Sequence, residues 1–187
     1  SAAVREYLAT LVPSERLTTI HKGHNPDWYR NGPVDLAAFG IPEGAFVVCC
    51  AANMRPLKGA EVLIRSAEHL DTDRPVHYLL VGELRDPRIH ERIRHASCPD
   101  RIHLAGFRPD AAAISGSCDL FVMPSLRREG LPRAVIEAMA QSVPAIVTRV
   151  GGMPELVIDD ACGFVVPPGD PKALGHAISA LADQPGK

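Results

Sequence analysis

The stretch DLFVMPSLRREGLPRAVIEAM, residues 119–139, runs from an unbroken apolar segment through a polar turn into an apolar pattern of helical spacing. A strand with one wet face alternates apolar and polar residues, whereas a strand covered on both faces reads as a continuous apolar run, as DLFVMP does. Beyond the turn, Pro132 suits the first turn of a helix, and Ala134, Val135, Ile136, Ala138 and Met139 supply its apolar positions. The stretch is one β-loop-α unit.

The same unit recurs along the chain. Further apolar runs are FVVCCA (46–51), VHYLLV (76–81), RIHLAG (101–106), PAIVT (144–148) and GFVVP (163–167). Helical patterns fall near 60–70, 87–96, 109–116, 131–141 and 171–183. Continuous strands alternating with helices predict a parallel sheet covered on both faces. Six strands are too few for an eight-stranded barrel, which typically needs about 250 residues. The expectation is a doubly wound, mostly parallel six-stranded Rossmann-like sheet, with its ligand outside the carboxyl ends of the strands. Residues 1–45 break the rhythm: VREYLATLV (4–12) predicts a helix, RLTTI (16–20) a short strand, and HKGHNPDWYRNGPVD (21–35) a polar loop.

Bulk properties exclude several classes. A 187-residue chain with 46% hydrophobic and 22% charged residues can bury a core, and its formal charge of -2 offers no basic face for nucleic acid or an anionic membrane. An anion must be met at a local site. The longest apolar run, Ala45 to Ala52, is far short of the roughly 20 residues that span a bilayer, and the start lacks the pattern of a signal peptide. These features predict a soluble, cytosol-facing protein with no membrane insertion. Cys49, Cys50, Cys98, Cys118 and Cys162 show no C-x-x-C spacing and mostly lie in apolar stretches, which predicts reduced core thiols.

The carboxyl-edge rule sorts the polar candidates. After the first core strand comes NMRPLKG, in which Arg55 and Lys58 stand where a dinucleotide fold or a P-loop would place its glycines. Two cations before a helix suit a bound diphosphate, though a solvated surface pair has the same appearance. After the fourth strand, the amides of Gly130 and Leu131 precede Pro132 and are available to an anion. Glu129 lies just before that helix, where a carboxylate is also an ordinary stabilising choice. Glu137 interrupts the apolar pattern, and a half-buried glutamate there needs a partner.

NMRPLKGAEVLI, DLFVMPSLRREGLPRAVIEAMAQSVPAIVTRVGGMPELV and GFVVPPGDPKAL together resemble the donor-sugar half of family 4 (group 1) glycosyltransferases with the GT-B fold. The resemblance covers roughly residues 40–183, and its most specific element is the pair of glutamates with seven residues between them, followed in order by A-M-A, x-P-x-I-V and G-G-x-P-E. It implies transfer of a glycosyl group from a nucleotide diphosphate sugar with retention at the anomeric carbon. Arg55 and Lys58 would hold the diphosphate, assisted by the amides of Gly130 and Leu131. Glu129, the candidate catalytic residue, would face hydroxyls of the donor sugar, and Glu137 would take the ribose hydroxyls. Phe107 and Arg108, in G-F-R-P-D, resemble the segment that lies along the base, with a packing role for Phe107 left open. Gly82 and Glu83 stand on the same edge and would line the donor pocket, with Gly82 counted among the donor-binding residues. Ser125 and Arg133 are near by position and receive no chemistry, and Gly151 and Gly152 serve a turn. No metal and no further cofactor is implied.

Three other patterns carry less. In HERIRH the two histidines, His90 and His95, are five apart, where a zinc helix needs four. Asp71 and Asp73 resemble a metal-binding acid pair but precede a strand, at the amino edge. HKGHNPDWY, with His21, His24, Trp28 and Tyr29, stands where the family has its interdomain linker, from whose N-G-x-D pattern it departs.

The resemblance also implies an amino-terminal, acceptor-binding half for which 187 residues leave no room. Residues 1–45 are then expected to be the end of that upstream domain and the linker, and residues 46–187 the donor domain, binding nucleotide without transferring sugar alone. The full-length enzyme would be cytoplasmic, or peripheral to a membrane. An epimerase of the same architecture and a non-catalytic nucleotide-sugar module are the alternatives.

Overall fold

A computed structural model describes residues 1–21, 23–29, 32–158 and 161–184. Its centre is one six-stranded sheet of β1 (Phe46–Ala51), β2 (Val76–Val81), β3 (Ile102–Gly106), β4 (Leu120–Met123), β5 (Ala145–Thr148) and β6 (Gly163–Val166), in the order β3-β2-β1-β4-β5-β6. Every pairing is parallel. The predicted doubly wound sheet is present, and its order reverses between β1 and β4.

Successive residues of a strand point to opposite faces, and here both faces are dry. On one, Val48, Cys50, Tyr78 and Leu80 pack with Leu63 and Ile64 of α2 (Ala60–Ser66) and with Leu174 and Ile178 of α6 (Pro171–Ala182). On the other, Val47, Cys49, Phe121 and Val147 pack with Ile114 of α4 (Ala111–Gly116) and Val135 of α5 (Arg133–Met139). That double burial is why the strands read as unbroken apolar runs. Cys49, Cys50 and Cys118 are buried free thiols, and Cys98 and Cys162 are half-buried.

The helices are shorter than their patterns. The predicted 60–70 helix ends as α2 at Ser66 and tightens into a 3₁₀ turn, Ala67–His69. The 87–96 pattern gives only α3 (Ile89–Arg94). Pro132 caps α5 from outside rather than filling its first turn, in extended conformation at φ -66° and ψ 124°.

Before the sheet, α1 (Ala2–Ala9) is present, with Ser1 capping it through Val4 N. The amides of Ala2 and Ala3 donate to the Glu155 carboxylate at 2.9 and 3.0 Å, which lowers its pKa. RLTTI forms no strand. Ser14–Arg16 is a 3₁₀ turn, and Leu17 gives its carbonyl to the Arg5 guanidinium instead of a ladder. A lone β-branched run needs a free sheet edge, and this one pairs with none. The predicted loop at 21–35 contains a 3₁₀ turn, Pro26–Tyr29, while its Lys22, Arg30 and Asn31 lie outside the described residues. Further on, Ile41 is buried, and Val34, Leu36 and Phe39 pack against the same face as α4 and α5.

Candidate functional site

Two loops leave the sheet where its strand order reverses, one after β1 and one after β4, and they are tied together. In the first, Met54 is buried and its amide donates to Glu83 O at 2.8 Å, after which Pro56–Lys58 form a 3₁₀ turn. Gly59 ends that turn at φ +74°, and a Cβ there would lie 1.9 Å from Pro124 O in the second loop. Only glycine fits both the conformation and the contact. The Leu126 amide then donates to Leu57 O at 2.9 Å.

This packing delivers Lys58 to Glu129. The Lys58 ammonium and the Ser125 hydroxyl both donate to Glu129 Oε1, each at 2.6 Å. The glutamate side chain is 8% exposed and the lysine 30%. From the far side, Gly151 adopts φ +55°, and a Cβ on it would lie 1.8 Å from Glu129 O. Gly151 therefore has the expected turn role, while Gly152, at φ -86°, does not need glycine for its backbone conformation. Arg128, immediately before the glutamate, has a left-handed φ of 63°, uncommon outside glycine.

Glu137 lies further along, on α5. Its carboxylate accepts from Arg133 Nε at 2.6 Å, one helical turn earlier, and the side chains are 15% and 70% exposed. That is the partner its half-buried position requires. The charge of Glu137, and after it the Tyr29 phenol, raise the Arg133 pKa. Tyr29 is buried, and its hydroxyl is 2.5 Å from His24 Nδ1. Trp28, its neighbour, is exposed.

Other predicted residues stand on the same edge but engage different partners. Arg55 lines a cavity of about 290 Å³ with Glu61, Arg65 of α2, Asp86 and Arg88. Arg108 forms a two-pronged ion pair with Asp110 at 2.8 and 2.7 Å, which raises its pKa, and lies over the Phe39 ring. Phe107 is 75% exposed and so packs little. The Gly82 amide donates to Gly106 O at 2.7 Å, joining the ends of β2 and β3, while Glu83 pairs with Arg85. Among the described residues, none accepts a hydrogen bond from the amides of Gly130 or Leu131. No three His, Cys, Asp or Glu side chains gather as a metal site, and no helix is long and apolar enough to cross a membrane, again among the described residues.

Ser125, Arg133 and Tyr29 therefore contribute without having been assigned. Arg133 was readable, since Arg and Glu four apart on a helix face each other. For Ser125 the only local sign is a hydroxyl in the same loop, and nothing local links Tyr29 to α5.

A sequence profile described as Glycosyl transferases group 1 matches residues 45–184. The chain is 30% identical over 196 residues to D-inositol 3-phosphate glycosyltransferase 1 of Catenulispora acidiphila, covering 92% of this chain and 45% of that one. Among solved structures, Anabaena HepE in complex with UDP superposes with a TM-score of 0.88 at 25% identity, over 98% of this chain and 52% of that chain. A sucrose-phosphate synthase from Thermosynechococcus elongatus gives 0.82 at 30% identity, covering 98% and 48% respectively. The chain thus spans about half the length of the curated relatives it matches. With the profile covering most of its residues and its sheet matching GT-B enzymes, the chain belongs to the group 1 glycosyltransferase family.

Proposed function

We propose that this chain is the donor-binding part of a retaining glycosyltransferase, taking a nucleotide diphosphate sugar at the edge where the sheet order reverses. The observation that carries the reading is the contact of Lys58 with Glu129 across the two loops, with Glu137 further along α5. HepE, its structural relative, has been solved with UDP and with UDP-glucose. In this reading the diphosphate takes Lys58, with Arg55 swinging from its cavity and the Gly130 and Leu131 amides assisting. Losing Lys58 leaves the Glu129 carboxylate to accept from hydroxyls of the sugar, while Glu137 reads the ribose. Phe107, Arg108 and Gly82 border the base side. An acceptor domain supplied by the remainder of a longer enzyme completes the transfer.

Calorimetry against UDP, GDP and ADP, each with and without its glucose or mannose ester, tests this. One nucleotide family should bind, with affinity unchanged in EDTA, because two cations already meet the diphosphate charge. Absence of binding by every member, or loss of affinity in EDTA, defeats the site as drawn.

A further inference from the structure

We propose that Ser125 and Thr148 are positioning residues that fix the Glu129 carboxylate for the donor sugar, an inference that rests on the reading of Glu129 above. Their contacts form a chain running inward from the site. The Ser125 hydroxyl has one proton and gives it to Glu129 Oε1 at 2.6 Å. The Ser125 carbonyl accepts from the Thr148 hydroxyl at 2.5 Å. Ser125 and Thr148 are 0% and 1% exposed, so neither can exchange its partner for solvent. Thr148 is the last residue of β5, the strand paired with β4, and its hydroxyl therefore ties the loop after β4 to the end of the neighbouring strand.

What makes this chain more than packing is the fate of Lys58. In the free protein Glu129 Oε1 has two donors, Lys58 and Ser125. Once a diphosphate takes the lysine, Ser125 is the remaining one, and the direction of the carboxylate depends on it. The loop has its own reason to move, since Arg128 sits in the left-handed region at φ 63°. Against that strain stand the Thr148 bond and the close approach of Gly151 to Glu129 O. A serine that served only the fold would lower stability when removed, with equal effect on every ligand. A positioning serine changes the distinction between ligands.

The readout is the affinity ratio of a nucleotide sugar to its bare nucleotide diphosphate, measured on this chain with the tightest pair among UDP and UDP-glucose, GDP and GDP-mannose, and ADP and ADP-glucose. Ser125→Ala should reduce the ratio by about tenfold, the lower end for one hydrogen bond to a charged group, with the bare nucleotide within about twofold of wild type. Thr148→Val, nearly the same shape without the hydroxyl, should reduce it about threefold, and Thr148→Ser, which keeps the hydroxyl, should restore it. Melting temperatures are recorded for each variant. If Ser125→Ala does not fold, the valine and serine variants at 148 carry the test alone. An unchanged ratio in Thr148→Val and Ser125→Ala, while Glu129→Gln collapses it, overturns the positioning role and leaves the site intact. An unchanged ratio in Glu129→Gln overturns the reading of Glu129, and the inference with it.

Discussion

The two glutamates of the loop-helix segment look equivalent in sequence and are held in different ways. Glu129 is 8% exposed and is gripped by residues from three separate parts of the chain: Lys58 after β1, Ser125 after β4 and Gly151 after β5. Glu137 is 15% exposed, and its cation is Arg133 of its own helix, 70% exposed and itself joined to Tyr29 of the Pro26–Tyr29 turn. The first carboxylate is fixed by the sheet's loops. The second is fixed by a local helical pair whose arginine is joined to Tyr29. The difference teaches that burial of an ion pair and its sequence separation decide what a substitution does. Removing Lys58 strands a carboxylate with little access to water, whereas removing Arg133 lets solvent replace most of what is lost.

The largest expected effect breaks the Glu129 side of the comparison outright. In Gly151→Ala, the new Cβ would lie 1.8 Å from Glu129 O, at a φ of +55° that alanine adopts only with strain, so the loop must move. Binding of a nucleotide sugar should fall by more than about 100-fold, the range for a buried clash of several kcal/mol. Near-normal affinity in calorimetry would show that the turn does not support the glutamate. Gly152→Ala is the internal contrast at this turn. Its φ is ordinary, but its Cβ would approach Gly130 O at 2.6 Å, so it should also weaken binding, by less.

Next comes Lys58→Ala, which should weaken bare nucleotide diphosphate by roughly 10- to 100-fold, as for the loss of a charge-assisted bond to phosphate. It should also lower stability by about 1 to 3 kcal/mol, because Glu129 loses its cation where water reaches it poorly. Adding Glu129→Gln should recover part of that stability and none of the nucleotide affinity. Thermal melts of Lys58→Ala, Glu129→Gln and the double variant check the first half, and titration checks the second. Full additivity of the stability losses would mean that the 2.6 Å contact contributes nothing.

A smaller effect separates the glutamates by ligand. Glu137→Ala should weaken a bare nucleotide diphosphate and its sugar ester alike, by about tenfold, if it accepts from ribose hydroxyls. Glu129→Ala should leave the bare nucleotide unchanged or bind it tighter, since Lys58 is released from its partner, and should erode only the advantage of the sugar ester. Equal losses for both ligands in Glu129→Ala would remove it from the sugar and return it to a structural role.

How much of this could be read from residues alone follows from the range of each interaction. The strands were legible because double burial leaves its mark within each run, as in FVVCCA. RLTTI failed for the complementary reason: its β-branched residues satisfy local propensity, but whether a sheet edge is available is decided elsewhere. Helix ends were overextended, since continuing apolar spacing in 67–70 does not reveal that the chain tightens after Ser66. At the site, the positions of Lys58 and Glu129 followed from the carboxyl-edge rule. Their mutual contact did not, because a pair 71 residues apart leaves no periodic trace. The same holds for Thr148 and Ser125, 23 apart, and for Glu155 capping α1 from 153 residues away. Short-range structure was in the sequence pattern, and the wiring of the site was in the topology.

Arg133→Ala is the mildest change and the one that sharpens the comparison most. The pair it breaks is an i, i+4 contact whose arginine is exposed, worth about 0.3 to 0.5 kcal/mol in such settings, so nucleotide affinity should fall only about twofold if Arg133 does no more than steady Glu137. That small loss should shrink further as salt is raised, because screening already weakens an exposed pair. The connection to Tyr29 allows a different result. If Tyr29 sets the Arg133 guanidinium, and the guanidinium sets Glu137, then Tyr29→Phe should reproduce the Arg133→Ala loss, although Tyr29 is buried and lies on a different segment. A loss in Arg133→Ala as large as that in Glu137→Ala, persisting at high salt, would mean that the arginine meets the ligand itself. The two carboxylates would then differ in what nucleotide does to their cations: in the proposed site Lys58 leaves Glu129 for the diphosphate, while Arg133 stays beside Glu137 and meets the ligand with it.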